Sequence, residues 1–175
     1  MIRGGKGGAK TQSGLKFESR VDLRSVFEKM NGYSTDDNDL LFKGKKVAQL
    51  FKKHDLYKGF LPKHNIDWKE KISKQLLPDE TVFVLANNTL FIIEMKFQGV
   101  AGSVDEKLQT CDFKKKQYQK LLGGTGIKVE YCYVINDWFN NKSYRDTLNY
   151  IQSVGCFYFF GELPLSFLGL PQPTD

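Results

Sequence analysis

Two carboxylates and an ammonium group stand close together in one stretch of the chain. Asp79 follows Pro78, and Glu94-Met95-Lys96 comes fifteen residues later. Two carboxylates that lie a few ångströms apart can share a divalent cation. Oxygen ligands without a nearby His or Cys suit Mg²⁺ or Mn²⁺ better than zinc. A lysine two residues from Glu94 could form an ordinary ion pair with it or take part in the chemistry of such a site. These groups can act together only if the chain brings them to one place.

A β-hairpin is predicted to bring these groups together. Residues 82–86 and 90–97 have the composition of strands, and Asn87-Asn88 between them suits a two-residue turn because Asn tolerates a positive φ. Such a turn pairs residues 86 and 89, and the same register continued to the open end pairs Asp79 with Lys96 and places Glu94 on the diagonal. Cross-strand and diagonal neighbours are roughly 5 to 8 Å apart, which is close enough for a shared cation.

The second strand of this hairpin has two unlike faces. Side chains alternate along a strand, so one face is apolar throughout: Phe91, Ile93, Met95 and Phe97. The other face begins with Leu90 and Ile92 and then turns polar at Glu94, Lys96 and Gln98. This pattern indicates a strand that leaves the core and opens into a polar site. Gln98 is a candidate hydrogen-bonding residue of that site, or it is a polar residue at a strand end.

The Pro78-Asp79 and Glu94-Met95-Lys96 motifs, placed in a hairpin and followed by a helix, resemble the PD-(D/E)XK nuclease superfamily. This superfamily includes most type II restriction endonucleases and the archaeal Holliday-junction resolvases. The resemblance implies metal-assisted hydrolysis of DNA phosphodiesters. It implies that Asp79, Glu94 and the Met95 carbonyl bind Mg²⁺, or Mn²⁺ in its place, which polarises the phosphoryl group and lowers the pKa of a water. Lys96 would orient the nucleophile or stabilise the developing charge.

A further acidic residue is suggested by the same resemblance. Members of the superfamily often carry a Glu in the first core helix within a G-x-x-x-E pattern, and residues 14–18, Gly-Leu-Lys-Phe-Glu, match it. The resemblance implies that Glu18 completes the acidic cluster. Judged without the resemblance, Glu18 is a solvated carboxylate favoured in the first turn of a helix.

The remaining elements are predicted from periodicity and from turn and capping signals. Helices are expected at about 14–30, 45–61, 103–122 and 144–154, with a capping box at Ser103 and Glu106, and a weaker helix or connector at 68–77. Residues 34–39 are expected to form a loop. Strands are expected at 40–42, 128–135 and 156–160, before a Pro-marked tail. We therefore predict an α/β fold with a restriction-endonuclease-like core, in which helices flank a central mixed sheet.

Length and composition favour one domain. The 175 residues, 41% of them hydrophobic, suit a single core over 14–175, with a helical insertion at about 34–76 and a flexible basic arm at 1–13. "GGKGGAKT" in the arm superficially resembles a phosphate-binding loop, but no strand precedes it and Ala9 replaces a required glycine. We expect no nucleotide cofactor.

The charge balance points to a polyanion. The net charge of +6 favours nucleic acid, and candidate DNA contacts are Lys6, Lys10, Lys52, Lys53, Lys107, Lys114, Lys115 and Lys116. The arm lacks the apolar core of a signal peptide, and no apolar run has the length of a membrane span, so no membrane association is expected. Three widely spaced cysteines fit neither a zinc site nor a disulfide framework, which favours a cytoplasmic protein with buried thiols.

Taken together, these patterns predict a Mg²⁺-dependent endonuclease that cuts a short specific site in double-stranded DNA as a homodimer, as type II restriction enzymes do. The alternatives are a structure-selective nuclease similar to a junction resolvase, the cleavage subunit of a larger restriction assembly, and a non-catalytic DNA-binding module on the same fold. An intact set of Asp79, Glu94 and Lys96 argues against the last.

Overall fold

The structure, a computed structural model, describes residues 14–17, 22–99 and 104–173. A seven-stranded mixed sheet forms its centre, with strand order β2-β3-β4-β5-β6-β7-β8. The strands are β2 (Tyr33–Asp36), β3 (Asp39–Phe42), β4 (Lys45–Phe51), β5 (Glu80–Val84), β6 (Thr89–Lys96), β7 (Lys128–Ile135) and β8 (Phe157–Phe160). Neighbours are antiparallel from β2 to β6 and parallel from β6 to β8. The predicted α/β class with a central mixed sheet is confirmed.

Helices and a small second sheet cover the two faces of the central sheet. The helices are α1 (Leu23–Glu28), α2 (Trp68–Lys71), α3 (Val104–Leu108), α4 (Cys111–Leu121), α5 (Arg145–Ser153) and α6 (Leu165–Leu168). Strands β1 (Gly14–Lys16) and β9 (Glu162–Pro164) form the second sheet. One apolar core lies under α4 and α5, and a second lies under α1, α6 and the β1–β9 pair. Each core buries one side of the strands at the centre of the large sheet.

The helix predicted over 14–30 is wrong in its first part. Gly14–Lys16 is a strand that pairs with Glu162–Pro164, and the helix begins only at Leu23. Leu15 is fully buried between its partner strand and the second core. The partner lies almost a full chain length away, so local periodicity could not reveal the pairing. Glu18 lies outside the described residues.

The segment 34–61 also differs from its prediction. The predicted loop at 34–39 is a hairpin of β2 and β3 that turns at Asp37, whose φ is +48°, and Asn38. The predicted helix at 45–61 is strand β4 followed by a π-helical turn at Leu56–Phe60 and a 3-10 turn at Pro62–His64. Short apolar runs such as Val47 to Phe51 suit either a helix or a buried strand. The expected helical insertion therefore contributes three strands to the central sheet.

The central hairpin forms as predicted, but with a different turn and register. Residues 85–88 form a four-residue loop, and the ladder pairs Val84 with Thr89 and Glu80 with Ile93. This register is shifted by two residues from the expected one. Because side chains repeat every two residues along a strand, a shift of two leaves each side chain on its predicted face. One step beyond Glu80, the same register places Asp79 opposite Glu94 rather than opposite Lys96.

The C-terminal half is closest to prediction. The strands at 128–135 and 157–160 and the helix at 145–153 form as expected. The single helix expected at 103–122 is instead divided at Gln109-Thr110, where the Thr110 hydroxyl donates to the Lys107 carbonyl at 2.7 Å; Ser103, its predicted cap, lies outside the described residues. The C-terminal segment, expected to be a Pro-marked tail, instead forms β9 at Glu162–Pro164 and α6 at Leu165–Leu168. All three cysteines are free and buried, as predicted.

Candidate active site

The segment before β5 is pinned so that Asp79 faces the end of β6. The Leu76 carbonyl accepts hydrogen bonds from the Tyr57 hydroxyl at 2.8 Å and the Tyr118 hydroxyl at 3.1 Å. The Pro78 carbonyl accepts from the Lys53 backbone at 2.9 Å. Asp79 Oδ2 then accepts from the Met95 backbone N–H at 3.0 Å, which fixes the carboxylate against β6.

Three oxygen atoms converge on the ammonium group of Lys96. Lys96 Nζ lies 2.9 Å from Glu94 Oε2, 3.4 Å from Asp79 Oδ2 and 3.3 Å from the Met95 carbonyl oxygen. Asp79, Glu94 and Met95 are the three residues predicted to supply metal ligands. The structure thus brings the predicted donor set together around one cation, and that cation belongs to the chain itself.

Glu94 has a second basic partner. Lys114 Nζ, from α4, lies 3.4 Å from the same Glu94 Oε2 that Lys96 contacts. The Glu94 side chain is 6% exposed, whereas those of Lys96 and Lys114 are 18% and 26% exposed. A buried carboxylate without a partner would be strongly destabilising, and two ammonium groups provide the compensation here. Two carboxylates and two ammonium groups therefore make a cluster with no net charge.

Buried tyrosine side chains surround the cluster. Burial raises the pKa of the Tyr118, Tyr131 and Tyr133 hydroxyls, so these phenols are neutral at ordinary pH. Burial by itself would lower the pKa of Lys96, but the Glu94 and Asp79 carboxylates outweigh it and the net shift in the pKa of Lys96 is upward. Lys96 is thus held in its charged form.

An open cleft of about 530 Å³ adjoins Asp79. Basic groups on one wall come from the loop after β4, namely Lys52, Lys53 and His54; the other lining residues are Asp22, Asp55, Asp79, Glu80 and Met95. Lys53 adopts a φ of +46° and its backbone binds Pro78, so the basic loop is tied to the segment that carries Asp79. Two predicted DNA-contact residues therefore lie beside a predicted metal ligand.

Glu80 is a buried carboxyl group that the sequence reasoning passed over. It is 5% exposed, and its Oε1 accepts from the Leu23 backbone N–H at 3.4 Å. Burial raises the pKa of Glu80 to about 7, against the lowering effect of that hydrogen bond. The sequence signal for Glu80 was its place at the start of a mostly apolar strand. A carboxyl group is seldom fully buried, so one at such a position indicates a special environment.

The ligands available at the site are of the chemical type that binds a divalent cation, but they are few in number. Carboxylate and carbonyl oxygens are the ligands that Mg²⁺ and Mn²⁺ prefer. Within residues 14–17, 22–99 and 104–173 no group of three or more His, Cys, Asp or Glu side chains is placed to hold a metal ion. Two carboxylates and one carbonyl leave room for water and phosphate oxygens, which Mg²⁺ usually retains as ligands.

The other predicted site residues have varied positions. Gln98 is buried, and its backbone N–H and carbonyl are bound by the Asn136 side chain at 3.2 and 2.7 Å, which docks the end of β6 onto β7. Lys107 is exposed, Lys116 is 68% exposed and pairs with Asp112, and Lys6 and Lys10 lie outside the described residues.

Lys115 has a structural position. Its ammonium group binds Glu130 Oε2 at 2.9 Å and the Gly155 carbonyl at 2.7 Å, and its side chain is 13% exposed. It ties α4 to β7 and to the turn before β8.

Lys114, predicted as a DNA contact, lies in the central cluster through its contact with Glu94. It follows the buried Cys111 by three residues and precedes the buried Tyr118 by four, so helical periodicity was the signal that could have placed it on the inner side of α4.

Comparison with known proteins identifies no relative of this chain: no family model, no curated protein and no solved structure matches it. No helix of the described part of the chain is long and apolar enough to cross a membrane.

Proposed function

We propose that the protein is a metal-dependent endodeoxyribonuclease with a restriction-endonuclease-like core that cuts double-stranded DNA. The observation that carries the proposal is the convergence of Asp79, Glu94 and the Met95 carbonyl on one cation, the Lys96 ammonium group, at the end of β6. Asp79, just before β5, and Glu94, in β6, approach this place together with a backbone carbonyl oxygen.

Asp79, Glu94 and the Met95 carbonyl would hold Mg²⁺ or Mn²⁺, which would polarise the phosphoryl group and acidify a water. Lys96 supplies a fixed positive charge within reach of the same oxygens, where it stabilises negative charge that develops on the phosphate. The hydrogen bond from the Met95 N–H orients the Asp79 carboxylate before any ligand arrives. Such preorganisation spares the site a rearrangement during the reaction.

The cleft beside Asp79 is the proposed path of the DNA backbone. Lys52 and Lys53 are exposed and line it together with His54, and Lys52 Nζ lies 3.8 Å from Asp22 Oδ1; these basic groups would contact phosphates beside the scissile bond. A single site of this size acts on one strand, and cutting both strands requires two copies. We therefore propose a homodimer with one site per strand.

Cleavage of supercoiled plasmid tests the proposal. Wild-type protein should nick or linearise the plasmid with Mg²⁺ or Mn²⁺ and not with EDTA. Lys96→Ala and Asp79→Ala should each lower the rate by roughly 10² to 10³-fold, because the first removes a positive charge that stabilises the developing negative charge and the second removes a metal ligand. Lys120→Ala, at an exposed position of α4, is the matched control and should cut at the wild-type rate.

The other outcomes separate the alternatives. Cleavage of branched junctions in preference to linear duplexes would favour a structure-selective nuclease, and cleavage only after addition of partner proteins would favour a subunit of a larger assembly. Tight DNA binding without any cutting would favour a non-catalytic binding module, for which the Asp79–Glu94–Lys96 cluster is structural. Metal-dependent cutting that survives both substitutions would show that the site lies elsewhere.

A further inference from the structure

Three consecutive lysines on α4 have three different environments. Lys116 pairs with Asp112 on the same helix, and Lys115 is bound by Glu130 and the Gly155 carbonyl. Lys114 points inward to Glu94. Lys115 and Lys116 thus each have a structural partner apart from the site, and Lys114 alone of the three joins the Asp79–Glu94–Lys96 cluster.

Lys114 and Lys96 both contact the same oxygen atom. Their ammonium groups lie 3.4 and 2.9 Å from Glu94 Oε2. A divalent cation bound to Glu94 Oε2 would repel both ammonium groups at this distance. A cation bound to Asp79, Glu94 and the Met95 carbonyl would displace Lys96 from these same oxygens and Lys114 from Glu94 Oε2. Because Glu94 is the carboxylate that Lys114 contacts, Lys114 would then be released from its acidic partner.

Charge balance gives the released lysine a partner. The cluster of Asp79, Glu94, Lys96 and Lys114 is neutral, so a bound divalent cation would leave it with two positive charges. Phosphodiester groups of DNA carry the negative charge that restores the balance. Binding of the cation and binding of a phosphodiester should consequently strengthen each other, since linkage is reciprocal.

We propose that Lys114 is a phosphate-binding residue of this site, which neutralises Glu94 until that carboxylate takes a divalent cation and then binds the phosphodiester. The inference rests on the proposed nuclease function and adds a residue and a coupling to it. It assigns Lys114 a role different from that of Lys115 and Lys116, which remain with Glu130 and Asp112.

Binding of Mn²⁺ in the absence of DNA tests this role without relying on cleavage. Free Mn²⁺ is followed by electron paramagnetic resonance during titration of the full chain. Lys114→Met should bind Mn²⁺ about five- to tenfold more tightly than wild type, because one repelling charge is gone. Lys114→Arg keeps the charge and should stay within about twofold of wild type. Lys120→Met, at an exposed position of the same helix, is the matched control and should not differ.

A second titration measures the coupling. In the presence of a phosphorothioate duplex, which resists hydrolysis, wild-type protein should bind Mn²⁺ more tightly than it does alone. Lys114→Met should lose most of that gain, and Lys114→Arg should restore it. A gain of affinity in the first titration cannot result from misfolding, because an unfolded chain has no assembled site.

The outcomes distinguish the two levels of inference. If wild type binds Mn²⁺ and Lys114→Met matches Lys120→Met in both titrations, the role of Lys114 is refuted and the nuclease proposal stands. If neither wild type nor Lys114→Met binds Mn²⁺, the metal site itself is refuted, and the role of Lys114 with it.

Discussion

At the scale of single residues, the candidate site is a buried cluster of charges whose burial is costly for stability. Glu94 is 6% exposed and Lys96 is 18% exposed, so both have lost most of their hydration. Taking two charges out of water is costly, and their mutual attraction repays that cost only in part. A protein that needed only stability would do as well with apolar side chains here. The cost therefore supports a functional reason for the charges.

Substitution of the pair tests this balance. Lys96→Met should lower the free energy of unfolding by about 2 to 3 kcal/mol, because Glu94 then keeps only Lys114 as a partner in a buried place. The double variant Glu94→Gln, Lys96→Met should recover most of that loss, since the most deeply buried charge, that of Glu94, is then absent, and the Asp79 and Lys114 side chains that remain charged are 32% and 26% exposed. Urea denaturation at neutral pH measures both. Equal midpoints for Lys96→Met and wild type would contradict the assignment of a buried, coupled pair.

At the scale of elements, the hairpin of β5 and β6 holds its register through its apolar faces rather than through turn length. The loop over 85–88 is two residues longer than predicted, yet Phe91 and Ile93 face one core while Leu90 and Ile92 face the other. A slip by one residue would exchange these faces and expose the apolar set. Glu94 and Lys96 keep the predicted face for the same reason.

Asn88 is the residue that lets this loop close. Its φ is +51°, and its side-chain amide donates to the Gly126 carbonyl at 3.0 Å. Asn88→Ala and Asn88→Gly both lose that hydrogen bond, but only Ala is strained at this φ, so Ala should be less stable than Gly by about 1 kcal/mol. Asn140, with a φ of −85°, is the control, and there Gly should not be the more stable. Thermal unfolding of the four variants compares them; an equal Ala-to-Gly difference at both positions would contradict the prediction.

The turn at Pro62–His64 carries a pH-sensitive contact. The His64 ring packs on Phe60 and Phe83 with ring centroids 4.3 and 5.6 Å away, and burial lowers the pKa of His64. A group whose pKa is lower in the folded chain stabilises the fold above its unfolded pKa and loses that contribution as the pH falls through its folded pKa. Wild type should therefore lose more stability than His64→Phe when the pH is lowered from about 8 to about 5, around an unfolded His pKa of roughly 6.5.

Urea denaturation at several pH values measures this difference. His54→Asn is the control, because the His54 side chain is exposed, and its pH profile should follow wild type. Parallel profiles for wild type and His64→Phe would show that the aromatic contact does not select the neutral ring.

At the scale of the whole molecule, the two ends of the described chain close one of the two cores. β9 pairs with β1, and Leu163, Leu165 and Leu168 are fully buried in the core that also contains Leu15 and Phe27. Asn87, in the loop of the central hairpin, donates to the Leu168 carbonyl at 3.0 Å. The C-terminal segment thus supports both the N-terminal strand and the hairpin that carries the site.

Removal of residues 162–175 should abolish cooperative unfolding. Each buried leucine contributes roughly 2 to 5 kcal/mol, so losing three approaches the whole stability of a domain. A chain ending at Gln172, which keeps β9 and α6, should unfold near the wild-type temperature. Near-ultraviolet circular dichroism during heating distinguishes the two. A cooperative transition of the shorter chain at the wild-type temperature would show that this core does not depend on the C-terminal segment.

What the sequence determined by itself was the local pattern. The alternation of 90–97 placed Glu94 and Lys96 on one face, and the Val-, Ile- and Tyr-rich run at 128–135 defined a strand, because these properties depend on near neighbours in the chain. The apolar run at 47–51 was assigned to a helix and proved to be a strand, because local periodicity does not distinguish a buried strand from a helix and pairing with β3 and β5 decides it.

What only the tertiary structure decided was every contact between distant parts of the chain. The pairing of β1 with β9, the shift of Asp79 to face Glu94, and the approach of Lys114 to Glu94 each join residues that the sequence separates. Such contacts depend on which surfaces pack and on the loops that connect them, and no local preference specifies them. The sequence supplied the groups for the proposed cation site, and the packing of α4 on the sheet added its second lysine.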